Sequence, residues 1–190
     1  MPDEILIRHC SPTLAGIKTG SLFSCRYETR EKLYAEVRRI NQMLVPKGLS
    51  MLPLRFEGER VMMYLYRPSS LRLDLADAET QRILRDSGYV SLTAEKCLYE
   101  LIRRLNRADG FPHEIGLFLS YPPEDVRQFI KTGGRGCKCV GCWKVYGDVE
   151  AAKRRFSQFE RCTCIYQQAW NRGCSLEKLT VSDESCRCRS

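Results

Sequence analysis

The sequence predicts an α+β fold: a single domain, mostly antiparallel in its sheet, with a split βαβ-like order and a long C-terminal helix. Three observations carry that expectation. Strand, helix, hairpin, helices and strand follow one another over residues 21–121, the order in which a helix joins two strands that do not pair directly. From Asp148 to about Trp170, the residues Val149, Ala152, Phe156, Phe159, Thr163, Tyr166 and Trp170 alternate steps of three and four, which places them on one helical face. The chain has 190 residues, 43% hydrophobic and 28% charged, enough length and apolar content for one sizeable core. The domain is expected over 1–181, with the polar stretch 182–190 as a disordered tail.

The elements follow from local signals. Ile5 to Arg8 reads as a short strand, and Ser11-Pro12 as a helix start, with Ser as N-cap and Pro at the first helical position. Ser21 to Cys25 is a strand. Glu28 to Leu44 carries Leu33, Val37, Ile40 and Leu44 on one stripe and is ended by Pro46 and Gly48. Leu49 to Phe56 and Arg60 to Arg67 flank Glu57-Gly58-Glu59 and read as a hairpin. Helices are expected at Ala78 to Asp86 and Thr93 to Arg107, the second burying Cys97, Leu98, Leu101, Ile102 and Leu105. Glu114 to Tyr121 reads as an apolar strand, Pro123-Glu124-Asp125 as a helix start, Thr132 to Cys142 as a loop, and Trp143 to Tyr146 as a short strand.

Composition narrows the setting. No apolar run approaches the ~18 residues of a membrane helix, and the N-terminus lacks a basic region followed by a long apolar one. A cytoplasmic protein without membrane insertion is expected. Eleven cysteines in that setting read as metal ligands, reactive thiols or small buried hydrophobes rather than as a disulfide framework, and eight of them lie from Cys137 onward. The net charge of +8 invites polyanions, but its densest clusters, Arg103, Arg104, Arg107 and Lys153, Arg154, Arg155, fall on polar helix faces where solvation alone explains them.

Three constellations have chemical potential. In His9-Cys10-Ser11-Pro12, a cysteine beside a helix start would feel the positive end of the dipole, which favours thiolate. His113-Glu114 stands where the chain enters the apolar strand. A cysteine at a helix start and a histidine on a later strand follow the order of papain-like thiol enzymes, so Cys10, His113 and Glu114 form the candidate catalytic set, with Asp148 a further orienting group. The bland alternative is a buried structural cysteine and a histidine bonded at a strand end. In Cys137-Lys138-Cys139-Val140-Gly141-Cys142, three thiols among glycines suit zinc or iron, although a fourth ligand is needed for a closed site. Cys162 and Cys164, two positions apart on a helix, point about 200° apart and cannot both face one ion. Walker, dinucleotide, serine-elbow and His-Glu-x-x-His patterns are absent from the sequence.

Three stretches together, His9 to Lys18, Phe111 to Pro122 followed by Asp125, Val126, Phe129 and Ile130, and Trp143 to Asp148, resemble an uncharacterised bacterial family, domain-of-unknown-function 3793, over residues 4–180. The resemblance implies no established activity and points loosely toward iron acquisition and flavodoxins. It implies an aromatic residue where this chain has Cys142, which would make the three-thiol cluster particular to this sequence. It draws attention to His9, Cys10, Thr13, Lys18, His113, Glu114, Trp143, Lys144 and Tyr146, with Trp143 and Tyr146 expected in the core. The leading expectation is a thiol- or metal-linked accessory protein in iron or redox handling, with His9, Cys10 and His113 at its site. Two alternatives stay open: a cysteine-nucleophile hydrolase or acyltransferase using Cys10 and His113, and an anion or nucleic-acid binding module using the basic helix faces. Whether the chain is an enzyme is left open.

Overall fold

The computed structural model describes residues 3–107 and 110–183. The chain divides into two compact units, Met1–Ser69 together with Arg161–Ser190, and Ser70–Glu160. The α+β class, the antiparallel sheet and the long C-terminal helix are as expected.

The first unit opens with α1 (Asp3–Leu14), where a strand and a later helix start were expected. Ile5-Leu6-Ile7 looks strand-like by composition, but Leu6, Cys10 and Leu14 recur in steps of four and are all fully buried. Asp3 and Glu4 sit in the first turn, where the helix dipole favours acids. Ser11 and Pro12 therefore lie near the helix's end, and the Ser11 hydroxyl donates back to the Ile7 carbonyl. β1 (Gly20–Arg26) follows, then α2 (Arg30–Leu44), whose Thr29 N-cap accepts from the Lys32 amide at 3.2 Å. Its buried residues are Leu33, Val37, Ile40 and Leu44, the expected stripe.

β2 (Ser50–Glu57) and β3 (Arg60–Tyr66) form the hairpin. β3 is central and pairs antiparallel with both β1 and β2, so β1 and β2 are parallel to each other and joined by α2. That is the split βαβ arrangement, confined to residues 20–66. Pro53 is tolerated because β2 is an edge strand with a register shift beside it. Asn41 on α2 pins that edge, exchanging two 2.8 Å bonds with the backbone of Met51. Behind the sheet, the end of α8 (Val149–Asn171) contributes Tyr166 and Trp170, and α9 (Leu176–Leu179) contributes Leu176, to one apolar core.

Arg67 closes this unit and is 1% exposed. Its Nε donates to the Thr13 carbonyl at 2.8 Å and its Nη2 to the Leu14 and Val181 carbonyls at 2.9 and 2.7 Å. Its Nη1 meets Asp183 Oδ1 at 2.6 Å. The last carbonyls of a helix have no intrahelical donor, so one guanidinium caps α1 and ties residues 181–183 beside it. The expected disorder of 182–190 concerns residues that, after Asp183, lie outside the described ones.

The second unit carries most of α3 (Pro68–Ala76), a helix with no counterpart among the expected elements, and α4 (Ala78–Asp86), capped by Asp77. In α5 (Ala94–Leu105), Cys97, Leu98, Leu101 and Leu105 are buried and Ile102 is half-buried. The expected strand from Glu114 to Tyr121 is instead a single helical turn, α6 (Ile115–Phe118). Residues 115–119 are buried on every side, so their apolar run carries no period to separate strand from helix. The turn ends with Ser120 at φ 56° and the Tyr121 amide donating to the Gly116 carbonyl at 3.0 Å, a left-handed cap. α7 (Pro123–Thr132) starts on its proline as expected. Within the expected loop, β4 (Cys139–Val140) pairs with β5 (Lys144–Val145). The connecting Gly141 has no room for a side chain: a Cβ there would run into the Phe156 ring. Trp143, Val145, Ala152, Phe156 and Phe159 form the core under this hairpin.

Candidate functional site

The second unit holds a cavity of about 300 Å³, bounded by the segment before α6, by α7 and by the β4–β5 hairpin. Phe111, His113, Phe129, Val140, Trp143 and Lys144 are among its walls. Two rings frame His113: Phe129 edge-on at 4.9 Å and Phe111 tilted at 5.9 Å. Phe111 is 42% exposed and Val140 67% exposed, large apolar groups left in water at the rim. On the inner side Trp143 is already engaged, stacked with Tyr121 at 4.9 Å and met edge-on by Phe156 at 4.5 Å. Burial pushes the Tyr121 phenol up to about 12, so it stays protonated, and its hydroxyl donates to the Cys142 carbonyl at 3.1 Å.

Asp125 holds this wall in place. It is 4% exposed; Oδ2 accepts from Trp143 Nε1 at 2.7 Å, while Oδ1 accepts from the Tyr146 and Gly147 amides at 2.7 and 2.8 Å. One carboxylate in the first turn of α7 thus fixes both the indole and the chain leaving β5. Lys144, from the same hairpin, sends Nζ to the Gly134 carbonyl at 2.8 Å and stands 5.7 Å from the centre of the Phe129 ring. Among the described residues neither Asp125 nor Lys144 takes part in an ion pair.

Two of the three sequence stretches that resemble a known family, Phe111 to Ile130 and Trp143 to Asp148, supply most of these walls. Across the chain, the pattern of the family described as "Protein of unknown function (DUF3793)" matches residues 6–180. The chain belongs to that family. No curated protein and no solved structure matches it. For this DUF3793 member, then, the side chains themselves are the guide to chemistry.

Of the expected site residues, His9, Cys10 and Thr13 lie in the first unit. Cys10 lies in the later half of α1, away from the N-terminal dipole invoked for it, and is fully buried. Burial pushes its thiol far above the ordinary range, with Lys18 opposing only in part, which is the reverse of what a nucleophile needs. His9 is exposed, stacks on Phe23 at 6.3 Å, and is held toward the neutral form by partial burial and then by Arg8. Thr13 shares a 2.9 Å hydrogen bond with Ser21. Cys10 falls in the first unit and His113 in the second.

In the second unit, Glu114 is buried and committed: Tyr89 donates to it at 3.2 Å and Arg104 at 3.4 Å. Asp148 caps α8 through the Ala151 amide at 2.9 Å rather than serving a histidine. Cys137 and Cys139 are half-buried and Cys142 is exposed on the β4–β5 hairpin. Among the described residues no group of three or more His, Cys, Asp or Glu side chains is placed to hold a metal ion, so the Cys137, Cys139 and Cys142 cluster does not converge on one. Cys162 is half-buried and raised to about 11 by burial while Cys164 is exposed, the divergence their spacing predicts. Also among the described residues, no helix is long and apolar enough to cross a membrane.

Sequence reasoning missed Asp125 as the organiser. It reads as one more acid at a helix start, and only the fold brings Trp143 and two backbone amides to it. Phe111 and Phe129 were legible as motif residues but without a role.

Proposed function

We propose that this protein binds a small planar molecule in the aromatic-walled cavity of its second unit, and that binding rather than covalent catalysis is the work of that site. The observation that carries the reading is convergence: the segment around Phe111 and His113, the α7 face with Phe129, and the hairpin with Trp143 and Lys144 meet around one space of about 300 Å³. That is the lower end of the ~300–1,000 Å³ range for ligand pockets, mostly apolar with few polar groups, as such sites are. Exposed Phe111 and Val140 at its rim fit a surface completed by a ligand.

The other readings draw less support. A thiol-centred role for His9, Cys10 and His113 asks for an ionised Cys10, and that thiol is sealed in a core. The metal reading lacks converging ligands among the described residues. In the basic clusters, Arg103 and Arg104 are turned to Glu100 and Lys153 to Glu150, which leaves less charge for a polyanion.

The test uses the full chain with Trp170→Phe, so that Trp143 is the sole tryptophan and reports the cavity. Naphthamide and naphthoate serve as planar probes. We expect saturable change in Trp143 emission, abolished by Val140→Phe, which fills the rim from an exposed position without adding a second tryptophan. Absence of saturable binding by both probes, or binding untouched by Val140→Phe, removes the reading.

A further inference from the structure

We propose, resting on the binding reading above, that the cavity selects an aromatic carboxylate, its carboxylate received by Lys144 and its ring laid against Phe129 and His113. The charge at the cavity decides the class. An ammonium has three donors, and Lys144 gives one of them to the Gly134 carbonyl at 2.8 Å. Its partners are a neutral carbonyl and the face of Phe129, and no carboxylate pairs with it among the described residues. The cavity's own carboxylate, Asp125, is turned away: both oxygens are taken by Trp143 Nε1 and the Tyr146 and Gly147 amides. The group that faces the space with donors to offer is therefore cationic, and in mostly apolar surroundings a charge-assisted bond to an anion is strong.

The same geometry argues against two other classes. An aromatic cage for a quaternary ammonium holds no resident cation, yet Lys144 Nζ already stands 5.7 Å from the centre of the Phe129 ring. Phosphate recognition gathers several donors around one group, and Lys144 stands without an arginine among the lining residues. A single ammonium beside ring faces suits a monoanion on a flat apolar body. The volume limits that body to one or two rings.

Gly134 is a positioning residue for this contact. Its φ of +80° is a conformation that favours glycine, and a Cβ there would come within 3.0 Å of Lys144 Nζ and 3.1 Å of the Phe129 ring. The bare backbone lets its carbonyl hold the ammonium at the cavity wall.

The experiment titrates three probes of like shape into the full chain: naphthoate, naphthamide and a naphthylmethyl trimethylammonium salt. A charge-assisted hydrogen bond predicts naphthoate binding roughly tenfold to a hundredfold tighter than naphthamide. In Lys144→Met the two should bind alike, with amide binding retained as the sign of an intact cavity. Lys144→Arg should keep part of the preference. The acid-to-amide ratio in the unaltered chain needs no variant, so a poorly folding Lys144→Met does not shelter the proposal. If amide equals acid, or the cation binds tightest, the carboxylate assignment is overturned while the cavity reading stands. If none of the three binds, both fall together.

Discussion

Each unit uses a buried charged side chain to tie distant backbone together, Arg67 in the first and Asp125 in the second, but the two are matched differently. Arg67 in the first unit meets three carbonyls and the Asp183 carboxylate, so its charge is answered by an opposite charge. Asp125 in the second unit meets three N–H donors and, among the described residues, no cation. Lys144 of the same unit is left with a carbonyl and a ring. The first unit therefore closes its polar interior on itself. The second keeps a positive charge available at a cavity. A buried charge that is fully answered marks architecture, whereas one left over beside open space marks a place for something else.

The largest effects come from removing the two ties. Arg67→Met takes the guanidinium from Asp183 and three carbonyls, and Asp125→Ala leaves an indole and two amides without their acceptor; each should cost about 3–5 kcal/mol in urea denaturation. They should differ in reach. Hydrogen exchange at the Tyr146 and Gly147 amides should quicken in Asp125→Ala and stay slow in Arg67→Met wherever the latter remains folded. Equal exchange in both variants would merge the two ties into one cooperative network and break the distinction drawn above.

Thiol chemistry sharpens the contrast from the other side. Burial raises Cys97 to about 11 and Cys10 further still. A shift of two pKa units leaves roughly a hundredfold less thiolate at neutral pH. Iodoacetamide followed by mass spectrometry should mark exposed Cys164 early, Cys97 at least a hundredfold later, and Cys10 only on unfolding. Rapid labelling of Cys10 in the folded protein would return the nucleophile reading to first place.

How much of this was legible beforehand depends on whether the signal was periodic. α2 and α8 announce themselves through stripes of apolar residues against charged faces, and the β2–β3 hairpin through two strand-length segments that flank Glu57-Gly58-Glu59. α1 hid behind Ile5-Leu6-Ile7, since a short apolar run with two β-branched residues outweighs a four-residue period when only three turns are available to show it. α6 was unreadable in principle, because residues buried all round have no polar side to reveal their period. For the site, residue types were visible but partnerships were not. His113, Lys144 and Trp143 stood out, yet Glu114 looked like their companion and belongs to Tyr89 and Arg104, while Asp125 looked like a cap and organises the wall. Cysteine crowding pointed to metal because spacing in sequence resembles spacing in space; in the fold Cys137 and Cys139 are half-buried, Cys142 is exposed, and no group of three ligands is placed for an ion among the described residues.

The smallest expected effect separates surface charge from site charge within the second unit. Hydrogen bonds from Arg103 and then Arg104 hold the Glu100 carboxyl at about 2. A carboxyl depressed in the folded state contributes stability that is complete above its unfolded value and is lost as pH falls through the folded one. Its contribution should therefore fade between about pH 5 and pH 2, given an unfolded value near 4.3. The pairs lie on a partly exposed helix face, so Glu100→Gln should cost only about 1 kcal/mol at neutral pH and less in high salt. Denaturation of both proteins across that window should show the gap closing as acid is added. Naphthoate affinity at neutral pH should not change, because Glu100 belongs to the ion pairs of α5 and is not among the residues lining the cavity. An altered affinity would mean that the basic face of α5 and the Lys144 cavity respond as one field, and the unanswered charge would then belong to the whole unit rather than to its site.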